Sequence, residues 1–120
     1  MKSIYENVVK DKGDLANEFG NELIIFFGEN APDTLKDYCH TIDIKRVDGI
    51  IKVGDYFEID GKKAKILTVG NEAQKNLERL GHLTVNLSNE VDDLLPGAII
   101  CENKKFDELK IGSIIKILEA

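Results

Sequence analysis

Tryptophan is missing from this 120-residue chain, methionine occurs once, and proline, cysteine and histidine occur twice each. Each scarcity narrows what the molecule can be. Cys39 and Cys101 lack the C-x-x-C spacing of a zinc knuckle or redox pair, so two small buried thiols in a reducing compartment are expected. With two histidines and two separated cysteines, the soft ligands for a conventional metal site are too few. Long apolar runs are also absent. The longest, Leu23 to Phe27, has the length of a strand and falls far short of the roughly 20 residues of a membrane helix. Met1-Lys2-Ser3-Ile4 shows no apolar stretch of the secretory kind, and a cytoplasmic protein without membrane insertion is the expectation. A clustered basic excess is lacking too. The formal net charge of −6 disfavours nucleic acid, whose phosphates are neutralised by gathered Lys and Arg.

What the chain does contain is ordinary for one globular domain spanning residues 1–120, with 42% hydrophobic and 32% charged residues. Short stretches rich in β-branched and aromatic residues alternate with Gly, Asn and Asp, which predicts a mainly β, small barrel-like domain with one or two short helices. Strands are predicted over 3–10, 22–27, 38–44, 56–59, 63–69, 82–87, 98–102 and 114–118. Asp60-Gly61 predicts a tight hairpin, because both turn residues must take positive φ. Gly54, Gly97 and Gly112 each read as a turn that releases the chain into an apolar strand. Residues 71–81 predict a helix capped by Asn71, with Gln74 completing a capping box and Gly81 as its left-handed exit. Ala73, Leu77 and Leu80 would form its apolar stripe, with Glu72, Lys75, Glu78 and Arg79 in water. Pro32 would open a shorter helical turn.

Signatures of nucleotide loops, serine-hydrolase elbows, zinc-protease helices and dinucleotide turns are all missing. Attention therefore falls on the two histidines, since a neutral imidazole is a competent nucleophile once its other nitrogen is oriented. On composition alone either is an ordinary surface or half-buried residue. Alternation puts His82, Thr84 and Asn86 on one face of their strand, opposite Leu83, Val85 and Leu87, so His82 belongs to the polar side. Thr84 could then donate to a phosphoryl oxygen. His40 shares a face with Tyr38 and Ile42, where burial would favour its neutral form or make it a plain core residue.

Several landmarks run the length of the chain: Ile4-Tyr5, Leu23 to Phe27 continuing to Ala31-Pro32, Asp37-Tyr38-Cys39, Val53-Gly54-Asp55, Thr68-Val69-Gly70, Asn76 to Thr84, Pro96-Gly97 and Ile111-Gly112-Ser113. On these the chain resembles the glucitol/sorbitol-specific IIA component of the bacterial phosphotransferase system. Asn76-Leu77-Glu78-Arg79-Leu80-Gly81-His82-Leu83-Thr84 is the most specific of them, since it joins helix, stop and histidine in a fixed order. The resemblance implies a mainly β barrel-like domain without a cofactor. It implies a phosphohistidine carrier that accepts from HPr and donates to IIB, while the IIC membrane component transports the sugar. Exposed sheet edges would also leave room for a homodimer.

One departure stands out. In the family the acceptor histidine is assigned to the strand after the Ala-Pro turn, two positions beyond His40, where this chain has Ile42. Three readings follow: His40 serves through a shifted register, His82 is the acceptor, or the chain is a non-catalytic regulatory or binding module that kept the fold. His82 is favoured, with Thr84 as phosphate ligand or orienting group and backbone amides near Gly81 helping to stabilise the transferred group.

Overall fold

The structure is a computed structural model that describes residues 1–20 and 22–120. Among these residues, β-branched and aromatic stretches build nine strands: β1 (Lys2–Val8), β2 (Asp11–Lys12), β3 (Leu23–Phe27), β4 (His40–Thr41), β5 (Tyr56–Ile59), β6 (Lys62–Val69), β7 (Leu83–Asn86), β8 (Ala98–Cys101) and β9 (Ile114–Glu119). Two α-helices accompany them, α1 (Asp33–Lys36) and α2 (Ala73–Leu80).

The strands form one sheet in the order β1-β9-β5-β6-β8-β7-β3-β4-β2. Its pairs are antiparallel except β3–β4 and β7–β8, which run parallel. The two outermost strands, β1 and β2, are separated in the chain only by Val9 and Lys10. Sheet ends joined by so short a link must curl towards each other. Val9 N–H donates to the Ser113 carbonyl (2.9 Å) beside β9, and Lys10 N–H donates to the Thr41 carbonyl (2.8 Å) of β4. The ladder itself is not closed, because β1 and β2 do not pair with each other. The product is barrel-like, with its seam bridged by the chain.

Alternation fills the interior. Phe57 and Ile59 of β5, Ala64 and Ile66 of β6, Leu83 and Val85 of β7, Ile24 and Phe26 of β3, and Ile115 and Ile117 of β9 all point into one core. Ala73 and Leu77 of α2 join it from one side. The β5–β6 turn has the predicted form, with φ of 48° at Asp60 and 89° at Gly61.

Several local expectations are corrected. The predicted strand over 38–44 pairs only at His40 and Thr41, and β2 was not foreseen. Glu72, not Asn71, is the N-cap of α2, and it makes no side-chain cap bond. Gln74 instead accepts from Ile51 N–H and donates to the Gly49 carbonyl, each at 2.9 Å, and Glu78 accepts from Val47 N–H at 2.8 Å. The polar face of α2 thus holds segment 47–51 down, while Leu80 lies out in solvent. Pro32 is the residue before α1, at its N-cap.

Candidate functional site

The strand register sorts the two histidines onto opposite faces of the sheet. β3 lies between β7 and β4, pairing Phe26 with Leu83 and with His40, and Phe27 with Thr41. Phe26, Leu83 and His40 therefore form an inward row. One residue along, His82, Phe27 and Thr41 form an outward row, continued by Asp11, which pairs with Thr41. At the usual strand spacing His82 and Thr41 stand roughly 10 Å apart on the outer face of the sheet, with Phe27, itself buried, between them.

His82 is half-buried. Its ring stacks on Phe27, centroids 4.4 Å apart and planes inclined by 17°. Burial lowers its pKa below the ordinary 6.5, so the neutral imidazole dominates at neutral pH. Among the described residues no side-chain hydrogen bond orients this ring, so the stacked phenyl is what fixes its plane. Thr84, two residues on, shares the outward face and is also half-buried, between Ile25 and Ala98 in the sheet.

The approach to His82 is set by a glycine clasp. Gly81 ends α2 with φ of 67°, and its N–H donates to the Leu77 carbonyl at 3.0 Å. A Cβ on Gly81 would come within 2.8 Å of the Gly28 nitrogen, so the helix exit and the end of β3 touch backbone to backbone. Gly28 N–H donates to the Leu80 carbonyl (2.8 Å), and His82 N–H donates to the Asn76 carbonyl (3.2 Å). These bonds correct the expectation about nearby amides: the N–H groups of Gly28, Gly81 and His82 are engaged with helix carbonyls.

His40 is 2% exposed, tilted against Phe26 with ring centroids 5.8 Å apart. Among the described residues neither of its nitrogens has a hydrogen-bond partner. Burial pushes its pKa below 6.5. The nearby Ile25 carbonyl opposes this without reaching hydrogen-bond geometry, the Lys12 charge adds to the lowering, and the Glu108 charge opposes it. Ile42 is fully buried, and its N–H donates to the Phe27 carbonyl at 3.0 Å. The Ile42 position thus borders the same strand end that carries Phe27.

Around Thr41 the outer surface is shallow. One depression of about 320 Å³ is lined by Lys10, Asp11, Glu29, Lys36 and Thr41. Lys10 is occupied there by Asp43 (2.9 Å) and Glu29 (3.7 Å). Both cysteines are free and buried, their thiols pushed up to about 11 (Cys39) and about 12 (Cys101), which makes them poor nucleophiles. Among the described residues no group of three or more His, Cys, Asp and Glu could hold a metal ion, and no helix is long and apolar enough to cross a membrane. Sequence reasoning missed Phe27 as the partner of His82. The run Leu23 to Phe27 is legible as a strand, but the strand it lies against is not.

Comparison with known proteins adds to this geometry. The family described as PTS system glucitol/sorbitol-specific IIA component matches residues 4–116. The PTS system glucitol/sorbitol-specific EIIA components of Shigella flexneri and of Escherichia coli (strain K12) are each 26% identical over 117 residues, covering 97% of this chain and 95% of the relative. The crystal structure of the PTS system IIA component from Enterococcus faecalis V583 superposes with a TM-score of 0.83 at 25% identity, covering 96% of this chain and all of that one.

Proposed function

Because the chain belongs to the glucitol/sorbitol-specific IIA family of the phosphotransferase system, we propose that it is a cytoplasmic phosphocarrier whose acceptor is His82. A phosphohistidine on HPr docks against the outward row. The neutral His82 nitrogen attacks phosphorus in line, the N–P bond to HPr breaks as the new one forms, and the HPr imidazole leaves with its lone pair. A second transfer hands the group to IIB, ahead of sugar transport through IIC. Such exchange demands positioning and charge stabilisation more than side-chain chemistry, which suits a site with few polar groups. Thr84 would donate its hydroxyl to a phosphoryl oxygen.

The observation that carries this reading is the half-open His82 ring, held flat on Phe27 and kept neutral by its surroundings. His40 supports it by contrast, because a ring at 2% exposure offers a docking donor no path. The test is incubation with phosphoenolpyruvate, enzyme I and HPr, followed by addition of IIB. Acid-labile phosphate should build up on the chain and leave when IIB is added, and a chain that never takes up phosphate would contradict the proposal.

A second reading rests on Ile42, which fills the family's acceptor position with a fully buried aliphatic side chain. Under it the chain is a regulatory or binding module. It would then bind IIB with the same affinity whether or not phospho-HPr is present, and carry no label.

A further inference from the structure

His40 holds two polar ring nitrogens inside the fold, and among the described residues no group pairs either of them with full hydrogen-bond geometry, the Ile25 carbonyl being only nearby. Buried polar atoms in native proteins are satisfied as a rule, by protein or by ordered water. A narrow cavity reaches this ring. Ala16, Leu23, Phe106 and Leu109 wall it, and Asn17 and Glu108 stand among its polar lining. Its volume is about 10 Å³, about the least that houses one water molecule.

Residues 103–110 form neither helix nor strand. They are pinned by the buried side chains of Phe106 and Leu109 and by Lys12, whose Nζ donates to the Leu109 carbonyl (2.8 Å) and to Glu108 Oε1 (2.7 Å). Asn17 Nδ2 donates to the same Glu108 oxygen. A carboxylate fixed by two donors therefore lines a cavity that also carries a buried imidazole.

We propose that this cavity binds a single water molecule, which hydrogen-bonds the His40 imidazole and links it to Glu108 and Asn17. The donor set selects that occupant. A neutral imidazole offers one donor and one acceptor, and water answers either. A metal ion lacks the ligand cluster it needs among the described residues, and an anion would face Glu108 and Asp107. The inference is independent of the role given to His82.

The bridge also gives His40 a route to solvent protons. A proton from bulk water adds to the free ring nitrogen, the bridging water is regenerated, and the new positive charge faces Glu108. The charged groups around the ring are Lys12 from β2, and Asp107 and Glu108 from the covering segment. β3 presents Leu23, Ile24 and Phe26 and the Ile25 carbonyl. Lys12 resists the proton and Glu108 favours it.

The test is NMR on the intact chain. At pH 7.5 the His40 ring protons should show a cross-relaxation peak with a long-lived water, and Ala16→Val, which crowds the cavity, should remove it. Glu108→Gln, a change at an exposed side chain, should move the His40 titration to lower pH. No bound-water peak in the wild type, or a His40 titration unmoved by Glu108→Gln, would overturn the proposal. Should Ala16→Val fail to fold, the other two measurements decide alone.

Discussion

At the residue scale, the two imidazoles are neutral for the same physical reason and placed for different ends. Each has its pKa lowered, with burial as the largest cause. For His40 the consequence is acid sensitivity. The unfolded chain takes up its proton near pH 6.5, while the folded protein resists until a lower pH. Protonation in this window therefore favours the unfolded state, and stability falls as pH drops below about 6.5, levelling off under the folded titration point. His40→Leu removes that linkage. It should leave stability at pH 7.5 within about 1–2 kcal/mol of wild type, because an apolar side chain of similar size removes the imidazole and its bridging water together and leaves no described protein group unpaired. Urea unfolding of both proteins at pH 7.5 and 5.5 measures this, and an equal loss in the two would refute it. For His82 the consequence concerns the ring it rests on. Phe27→Leu should return the His82 titration towards 6.5, read by NMR chemical shifts, whereas Phe27→Tyr should leave it in place.

The elements that position the site draw their strength from a few close contacts. Leu77, fully buried at the centre of α2, joins helix to sheet. Leu77→Ala should cost about 2–5 kcal/mol by removing packed volume from the core. Gly81→Ala should cost more than about 1 kcal/mol, since it adds a left-handed φ penalty to a clash with the Gly28 backbone. Denaturant unfolding reports both, and a Gly81→Ala protein as stable as wild type would show that the clasp is loose. These parts were legible in the sequence to different degrees. β5, β6 and their Asp60-Gly61 turn follow from alternation and turn chemistry alone, as do the stop at Gly81 and the outward face of His82. The pairing of β2 with β4 was not readable, because two residues per strand leave no periodic trace. Burial of His40 was among the readings of its strand face, but its cover by Phe106 and Leu109 was not readable, since these lie more than sixty positions further along the chain and in no regular element. Two departures on α2 share one cause: Gln74 reads as half of a capping box and Glu78 as solvent-facing, but segment 47–51 comes back to meet both.

For the whole molecule, the sheet curls because one short stretch serves both of its ends. Val9 is fully buried, and its amide and that of Lys10 bond to segments beside β9 and in β4 respectively. Those two amides should exchange only with global unfolding, at the rates of the β5–β6 core, although they lie between strands. Fast exchange at either would mean that the seam opens on its own. The same curvature turns His82, Phe27 and Thr41 outward as one row and closes His40 within, and the assignment of the phosphoryl acceptor depends on that division. The most direct measurement is the position of the phosphate after incubation with phosphoenolpyruvate, enzyme I and HPr, mapped under alkaline conditions by mass spectrometry in the wild type, His82→Ala and His40→Leu. Phosphate on His82 in the wild type and in His40→Leu, and none in His82→Ala, is the predicted result; label that persists in His82→Ala, or that never forms on any of the three, would contradict it.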